Sequence, residues 1–141
     1  MSFNDEFMTE LSSDLASALG LPADAVYVGR QPRKVTRQGL EVWIRPGGTE
    51  PVGRGLTFHT YDVHLRLKTK REGDLTGADQ LEVIRAALDG LRERLDGRRP
   101  FAQKVPTLIA TQADEQSADE DEDDQDVLTA VLRVRALEGI A

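Results

Sequence analysis

The chain has no cysteine, few aromatic residues and no long apolar run, and each absence excludes a class of protein. Without cysteine there is no disulfide, no thiolate nucleophile and no cysteine-based zinc site, which fits a reducing compartment or a particle assembled in one. No stretch approaches the roughly 20 apolar residues that span a bilayer, so no membrane contact is expected. The start, MSFNDEFMTE, is acidic and lacks the basic and then apolar order of a signal peptide, which predicts a soluble, unexported protein.

Signatures of catalysis are also missing. The only two histidines, His59 and His64, lie five residues apart on one predicted strand, so their side chains should point to opposite faces and cannot share a metal. We expect His59 to be half-buried in a sheet and His64 to lie at the surface. No serine lies in a G-x-S-x-G elbow, and the glycines at 53 and 55 open no helix that would cradle a phosphate. The sequence therefore predicts a protein that is not an enzyme and has no cofactor.

The charge of the chain is concentrated in one place. A length of 141 residues with 39% hydrophobic content is typical of one domain, here residues 1–141. The net charge of -7 comes from 25 acidic and 18 basic side chains. Nine of the carboxylates fall in DEQSADEDEDDQD, residues 114–126, and the rest of the chain holds 16 acidic against 18 basic residues. The body is nearly neutral and the acidity is local.

Two segments have the apolar spacing of amphipathic helices. In the first, apolar residues recur every four positions and Gly20 supplies a stop, with Ser2 or Asn4 available to cap the start. In the second, apolar residues recur at steps of three and four before Gly97. The two stripes consist of Phe7, Leu11, Leu15 and Leu19, and of Leu81, Ile84, Leu88, Leu91 and Leu95.

Five segments have the composition or alternation of strands. They are AVYVG, GLEVWIR, TFHTYDVHLRLKTK, KVPTLIATQ and DVLTAVLRVRAL. The order α-β-β-β-α-β-β predicts an α+β fold, a mostly antiparallel sheet of about five strands packed against two helices. Two flexible loops are predicted, 46–56 between the second and third strands and 114–126 between the last two.

The acidic run admits several interpretations. Asp119, Asp121 and Asp123 have the spacing that begins a calcium loop, but Asp124 and Ala130 stand where an EF-hand needs glycine and a bidentate glutamate. Such blocks of like charge are usually solvated. Because a predicted strand follows the run, a charged hairpin tip is favoured over a terminal tail.

A basic segment precedes the second strand. GRQPRKVTRQG contains Arg30, Arg33, Lys34 and Arg37, and Arg54 follows in the glycine-rich segment. Phosphate contacts with nucleic acid are one reading, although aromatic stacking partners are few and the molecule is acidic. The other reading is contact between basic and acidic segments of neighbouring copies in a closed assembly. Two solvated segments with no contact are equally compatible with the sequence.

The order of elements resembles the tail terminator proteins of long-tailed bacteriophages and, more loosely, their head-tail joining relatives. The resemblance covers nearly the whole chain. It is carried by GLEVWIRPGGTEPVGRGLTFHTYDVHLRLKTK, in which two strands bracket a glycine-rich segment, and by the helix GADQLEVIRAALDGLRERLDG. The long acidic insertion departs from a minimal version of that plan.

This resemblance implies a structural virion protein of the tail or neck, assembled in the host cytoplasm. It implies a homo-oligomer, a hexameric ring that caps the tail tube and meets the head connector protein, and through which DNA passes without specific binding. The residues expected in assembly or partner contacts are Arg30, Arg33, Lys34, Arg37, Arg54, Asp119, Glu120, Asp121, Glu122, Asp123 and Asp124. The alternative is a small cytoplasmic α+β binding module, associated with nucleic acid through Arg30 to Arg37.

Overall fold

The computed structural model describes residues 2–29, 39–68, 77–98, 105–120 and 127–139. These residues form two helices and six strands. They are α1 (Phe3–Leu19), a short 3-10 turn (Ala23–Ala25), β1 (Val26–Val28), β2 (Gly39–Gly53), β3 (Leu56–Lys68), α2 (Gly77–Leu95), β4 (Gly97–Arg98), β5 (Leu108–Glu120) and β6 (Val127–Glu138).

The strands form one sheet in the order β1-β2-β3-β6-β5-β4. All neighbouring pairs are antiparallel except β1 and β2, which run parallel with Val26 opposite Val42. The predicted α+β class, the order of the elements and the mostly antiparallel sheet are confirmed. The structure adds the two-residue β4 and makes the sheet mixed at its β1 edge.

Helix α1 packs through its predicted stripe. Phe7, Leu11 and Leu15 are fully buried, whereas Leu19 is only partly covered. The Ser2 side chain caps the helix by accepting the backbone N–H of Asp5, and Gly20 ends it with a left-handed φ of 65°. The helix therefore begins and ends where its sequence signals predict.

Helix α2 buries the described residues of its predicted stripe against the same face of the sheet. Ile84, Leu88, Leu91 and Leu95 join a core that includes the inward residues of β2, β3 and β6. Its end is tied to β5, because Thr111 donates its hydroxyl to the Leu95 carbonyl. The Asp96 carboxylate, just beyond the helix, accepts the Ala113 N–H at 3.1 Å.

Most of the predicted loop 46–56 and the described part of the predicted loop 114–126 are strand, which corrects the sequence prediction for those residues. Strand β2 runs through to Gly53 and β3 begins at Leu56, so only Arg54 and Gly55 remain as a turn. Strand β5 extends to Glu120 and takes up the first half of the acidic run, while 121–126 lie outside the described residues. Proline, glycine and acidic residues have low strand propensity, but cross-strand pairing over a long register outweighs that preference here.

Candidate interaction site

The structure separates the predicted contact residues into three groups. Arg54 lies at the turn between β2 and β3, and Asp119 and Glu120 end β5 opposite Thr129 and Leu128. The others lie outside the described residues: Arg30, Arg33, Lys34, Arg37, Asp121, Glu122, Asp123 and Asp124. Among the described candidates, Arg54 is therefore the one whose surroundings indicate a specific role.

Arg54 stands at the end of the hairpin segment 45–58, which we call the arm. Its β2 half is an edge strand, and its β3 half still pairs with β6 at Thr57 and Phe58. On β2 every residue of the arm from 45 to 53 is exposed, although preceding residues of the same strand are buried. Strand β1 pairs only with residues 42–44, so within the described part of the chain β3 is the one strand that flanks the arm's β2 half. Side chains on both faces of this half are open to solvent.

The tip of the arm is a two-residue turn. Gly53 pairs with Leu56, and Arg54 and Gly55 both have positive φ angles, 56° and 74°. Two positive φ values match the twist of a short hairpin and normally require glycine or asparagine. Arg54 is the one non-glycine residue with positive φ in the described chain. The turn thus holds an exposed guanidinium at the tip, in a conformation that is unfavourable for arginine.

A bulge bends the arm near its base. The register shifts between Pro46 and Thr49, so two β2 residues oppose Thr60. A Cβ built on Gly47 would lie 3.1 Å from the Thr60 carbonyl oxygen, which explains the small residue there. Bulges of this kind increase local twist and redirect a strand.

Side chains from β6 hold the arm's base. The Arg135 guanidinium lies 4.2 Å from the centre of the Phe58 ring and 3.7 Å from a Glu50 carboxylate oxygen. His59 Nε2 lies 2.9 Å from Glu138 Oε1, and its ring stacks on Phe3. The base is anchored to β6 and to helix α1, whereas the tip contributes nothing to the core.

The sheet face opposite the helices carries a line of alternating charge. Arg45, Asp62, Arg133 and Asp114 are successive register partners across β2, β3, β6 and β5. Arg133 Nε lies 3.5 Å from Asp62 Oδ1. Opposite charges in facing strands stabilise a sheet by fractions of a kcal/mol, about 0.2–1 per pair, so this line is explained by pairing within the sheet.

The part of this sheet face that holds Trp43, Glu41 and Arg66 is buried, which the sequence does not predict. Trp43 is 8% exposed, stacks on His64 with ring centres 4.5 Å apart, and donates its indole N–H to the Gly29 carbonyl at 2.8 Å. Glu41 and Arg66, 3.8 Å apart, are nearly fully buried as well. In the sequence, Leu40, Val42 and Ile44 alternate with Glu41, Trp43 and Arg45, which predicts one buried and one exposed face. That prediction is wrong at residues 41–44, where both faces are buried.

The two histidines lie on opposite faces, as predicted. His59 contacts α1 on the helix-covered face and is more buried than expected, at 9% exposure. His64 is half-buried instead of lying at the surface. Burial, opposed by Asp62 and reinforced by Arg45 and Arg66, lowers the pKa of His64. A neutral imidazole packed on tryptophan has a structural explanation and needs no catalytic one.

The described residues contain neither a metal-binding cluster nor a membrane-spanning helix. Within the described residues no group of three or more His, Asp or Glu side chains is arranged to hold a metal ion. No described helix is long and apolar enough to cross a membrane. The arm is therefore the candidate interaction surface in the described part of the chain.

Comparisons with known proteins place the chain only at the level of overall structure. No family model and no curated protein matches it. One similar solved structure is a chain from the "Virion of native gene transfer agent (GTA) particle", with a TM-score of 0.47 and 16% identity, covering 89% of this chain and 84% of that one. Similarity at this level does not transfer a function.

Sequence reasoning missed the arm as a structural unit. Pro46, Gly47, Gly48, Pro51 and Gly53 are typical of a loop, and their composition conceals the strand. One signal was present: GRG follows TEPV and precedes the alternating segment LTFHTY, which is the place for a tight hairpin turn. A hairpin turn at Arg54 and Gly55 implies strand on both sides of it.

Proposed function

We propose that the chain is a structural virion protein that forms a homo-oligomeric ring, caps the tail tube and joins it to the head connector. The observation that carries the proposal is the arm. Nine consecutive β2 residues of the arm are exposed, and within the described chain β3 alone pairs with them, so their side chains bury little surface to offset the conformational entropy of ordering them. An exposed edge of this kind gains buried surface when a neighbouring subunit covers it.

The arm has the geometry that a ring contact needs. It starts from a base fixed by Arg135 and His59 and ends at a tip fixed by a tight turn. A preorganised element loses less entropy on binding than a flexible loop does. Contact between the arm of one copy and a different surface of the next is heterologous, and heterologous contacts close into rings when the rotation allows.

The acidic run has a place in the same proposal. Residues 114–126 carry nine carboxylates on a body that is otherwise nearly neutral. Repeated around a ring, these charges would repel phosphate and let DNA pass without sticking if they face the lumen. If they face a neighbour, they would attract the basic residues Arg30 to Arg37. Cryo-electron microscopy of the ring distinguishes the two, and carboxylates on the outer wall exclude the lumen version.

The proposal is tested by combining light scattering with electron microscopy. We expect the purified chain to form closed rings, alone or on the ends of tail tubes, and to stop tube growth. Replacing residues 49–53 with a Gly-Ser segment of equal length should abolish rings and leave a folded monomer. The double variant Thr9→Ala and Ser13→Ala, at exposed positions of α1, is the control and should assemble normally.

One result would favour the alternative of a nucleic-acid-binding module. That result is a stable monomer that shifts DNA in a salt-sensitive manner, lost when Arg30, Arg33, Lys34 and Arg37 are changed to glutamine. A monomer that neither caps tubes nor binds DNA contradicts both functions.

A further inference from the structure

The outer edge of the arm is unsuited to pairing with another strand. Pro46 and Pro51 lie in β2 opposite Tyr61 and Thr57. Proline has no N–H to donate, and prolines, bulges and charges on an edge are the usual means of preventing strand addition. We therefore expect a partner to contact the side chains of the arm and not its backbone.

The tip offers two such side chains close together. Val52 is 46% exposed, which is high for a large apolar residue. Arg54 follows two positions later and is also exposed, at the turn. Glu50, the acidic neighbour, already faces Arg135. The tip therefore offers a partner one exposed apolar side chain, Val52, next to one exposed cation, Arg54.

Helix α2 carries the complementary pair of surfaces. The first is an apolar groove of about 510 Å³ between α1 and α2, and Arg94 is the one charged residue among its described lining residues. Small side chains leave the space open. The lining residues that matter are Ala18, Leu19, Ala86, Ala87, Gly90 and Leu91.

The second surface is an acidic cleft on the adjoining side of α2. It has a volume of about 320 Å³, and its described lining residues are Asp89, Glu93 and Asp96 together with Arg92. Asp96 is held by the Ala113 N–H. Asp89 directly precedes Gly90 of the groove, and Glu93 lies three residues after it, so groove and cleft are neighbours on the helix surface.

From this match we propose that the arm tip of one copy docks on helix α2 of a second copy. Val52 enters the groove, and Arg54 meets Asp89 and Glu93 in the cleft. The proposal rests on the ring function proposed above and names the contact that builds the ring.

The dimensions and the charges agree with this assignment. Two residues of chain reach at most about 7 Å, and successive helical turns are about 5.4 Å apart, so Val52 and Arg54 can contact neighbouring turns of one helix. Arginine is enriched among the residues that dominate interface energetics, and apolar contacts around such a residue exclude water from it. Because the arm and α2 are different surfaces, every copy donates one contact and accepts one.

The absence of cysteine allows a clean test by cross-linking. In the double variant Val52→Cys and Ala87→Cys, the two thiols come within disulfide range only if the tip of one copy enters the groove of the next. Mild oxidation should yield a ladder of covalent oligomers ending in a closed species. The matched control combines Val28→Cys with Ala87→Cys, since Val28 is 45% exposed. This control should give no ladder.

A charge exchange tests the cleft independently. Arg54→Glu should weaken association about tenfold to a hundredfold, the range expected for a central interface residue. Adding Glu93→Arg in the same chain should restore most of the loss, because each interface then regains an opposite pair. Misfolding cannot produce such a rescue.

The outcomes separate the contact from the function. Rings that form without a ladder overturn the docking contact and leave the ring proposal standing. A ladder from a chain that does not bind tail tubes supports the contact and overturns the tail function. A chain that stays monomeric at millimolar concentration and on tubes overturns both.

Discussion

His59 and Glu138 are separated by most of the chain, yet His59 Nε2 lies 2.9 Å from Glu138 Oε1. The contact joins β3 to the end of β6 just below the arm, where Phe3 covers the imidazole ring. Helix α1, strand β3 and strand β6 therefore meet at one point. The arm begins at this junction of the three elements.

This junction should be important for stability. We expect His59→Ala to lower the free energy of unfolding by about 1–3 kcal/mol, because it removes the Glu138 contact and the ring packed on Phe3. Glu138→Gln keeps the shape and a hydrogen-bonding group, so it should cost less. Urea denaturation of both variants checks the order. Equal losses would show that the Phe3 stack contributes nothing.

Tyr61 should make the fold sensitive to alkali. Its hydroxyl donates to Asn4 Oδ1, and burial, followed by the charge of Glu138, raises the pKa of Tyr61 above its ordinary value of 10.0. The stabilising effect is complete below the unfolded pKa and is lost as pH rises above about 10, because only the unfolded state readily releases the proton.

The variant Tyr61→Phe isolates this effect. It should be less stable at neutral pH by about 1 kcal/mol, since Asn4 loses its donor. It should also show a shallower loss of stability above pH 10 than the unmodified chain. Parallel curves for the two proteins in denaturant titrations would contradict the assignment.

His64 should act in the opposite direction, on the acid side. Burial against Trp43 lowers the pKa of His64 from its ordinary value of 6.5. The folded state then binds fewer protons than the unfolded state, so stability is present above the unfolded pKa and falls as pH drops below it.

The test compares the unmodified chain with His64→Gln between pH 7.5 and 5.5, a window spanning the ordinary histidine pKa of about 6.5. The unmodified chain should lose stability more steeply, and the difference between the two slopes is the contribution of His64. Identical slopes would mean that the imidazole protonates freely in the fold.

Two glycines of the arm should respond differently to alanine. Gly53 has a φ of 87°, and an L side chain there is strained whatever the space around it. Gly48 has open space and no positive φ. We expect Gly53→Ala to cost about 1–2 kcal/mol and to disturb the arm, with Gly48→Ala close to neutral. Thermal unfolding and amide exchange in the arm measure the difference.

Much of the fold follows from local sequence patterns. The stripe at Phe7, Leu11 and Leu15 determined helix α1 and its buried face, since a period of four places these side chains on one side of any helix. The alternation at Tyr61, Val63 and Leu65 likewise determined the inward face of β3. Ser2 and Gly20 set the ends of α1 through hydrogen bonds within a few residues. These features depend on neighbours in the chain, so the sequence displays them.

Other features depend on residues far apart in the chain. The parallel pairing of β1 with β2, the burial of Trp43 and Glu41 on the second face, and the contact of His59 with Glu138 have no local signal. The arm is the clearest case. Its prolines and glycines predict a loop, and register with β3 makes them a strand. By itself the sequence determined which segments have an apolar face and where the acidic charge lies. Only the tertiary structure decided which segments pair, because long-range strand pairing outweighs local propensity and leaves the tip of the arm exposed.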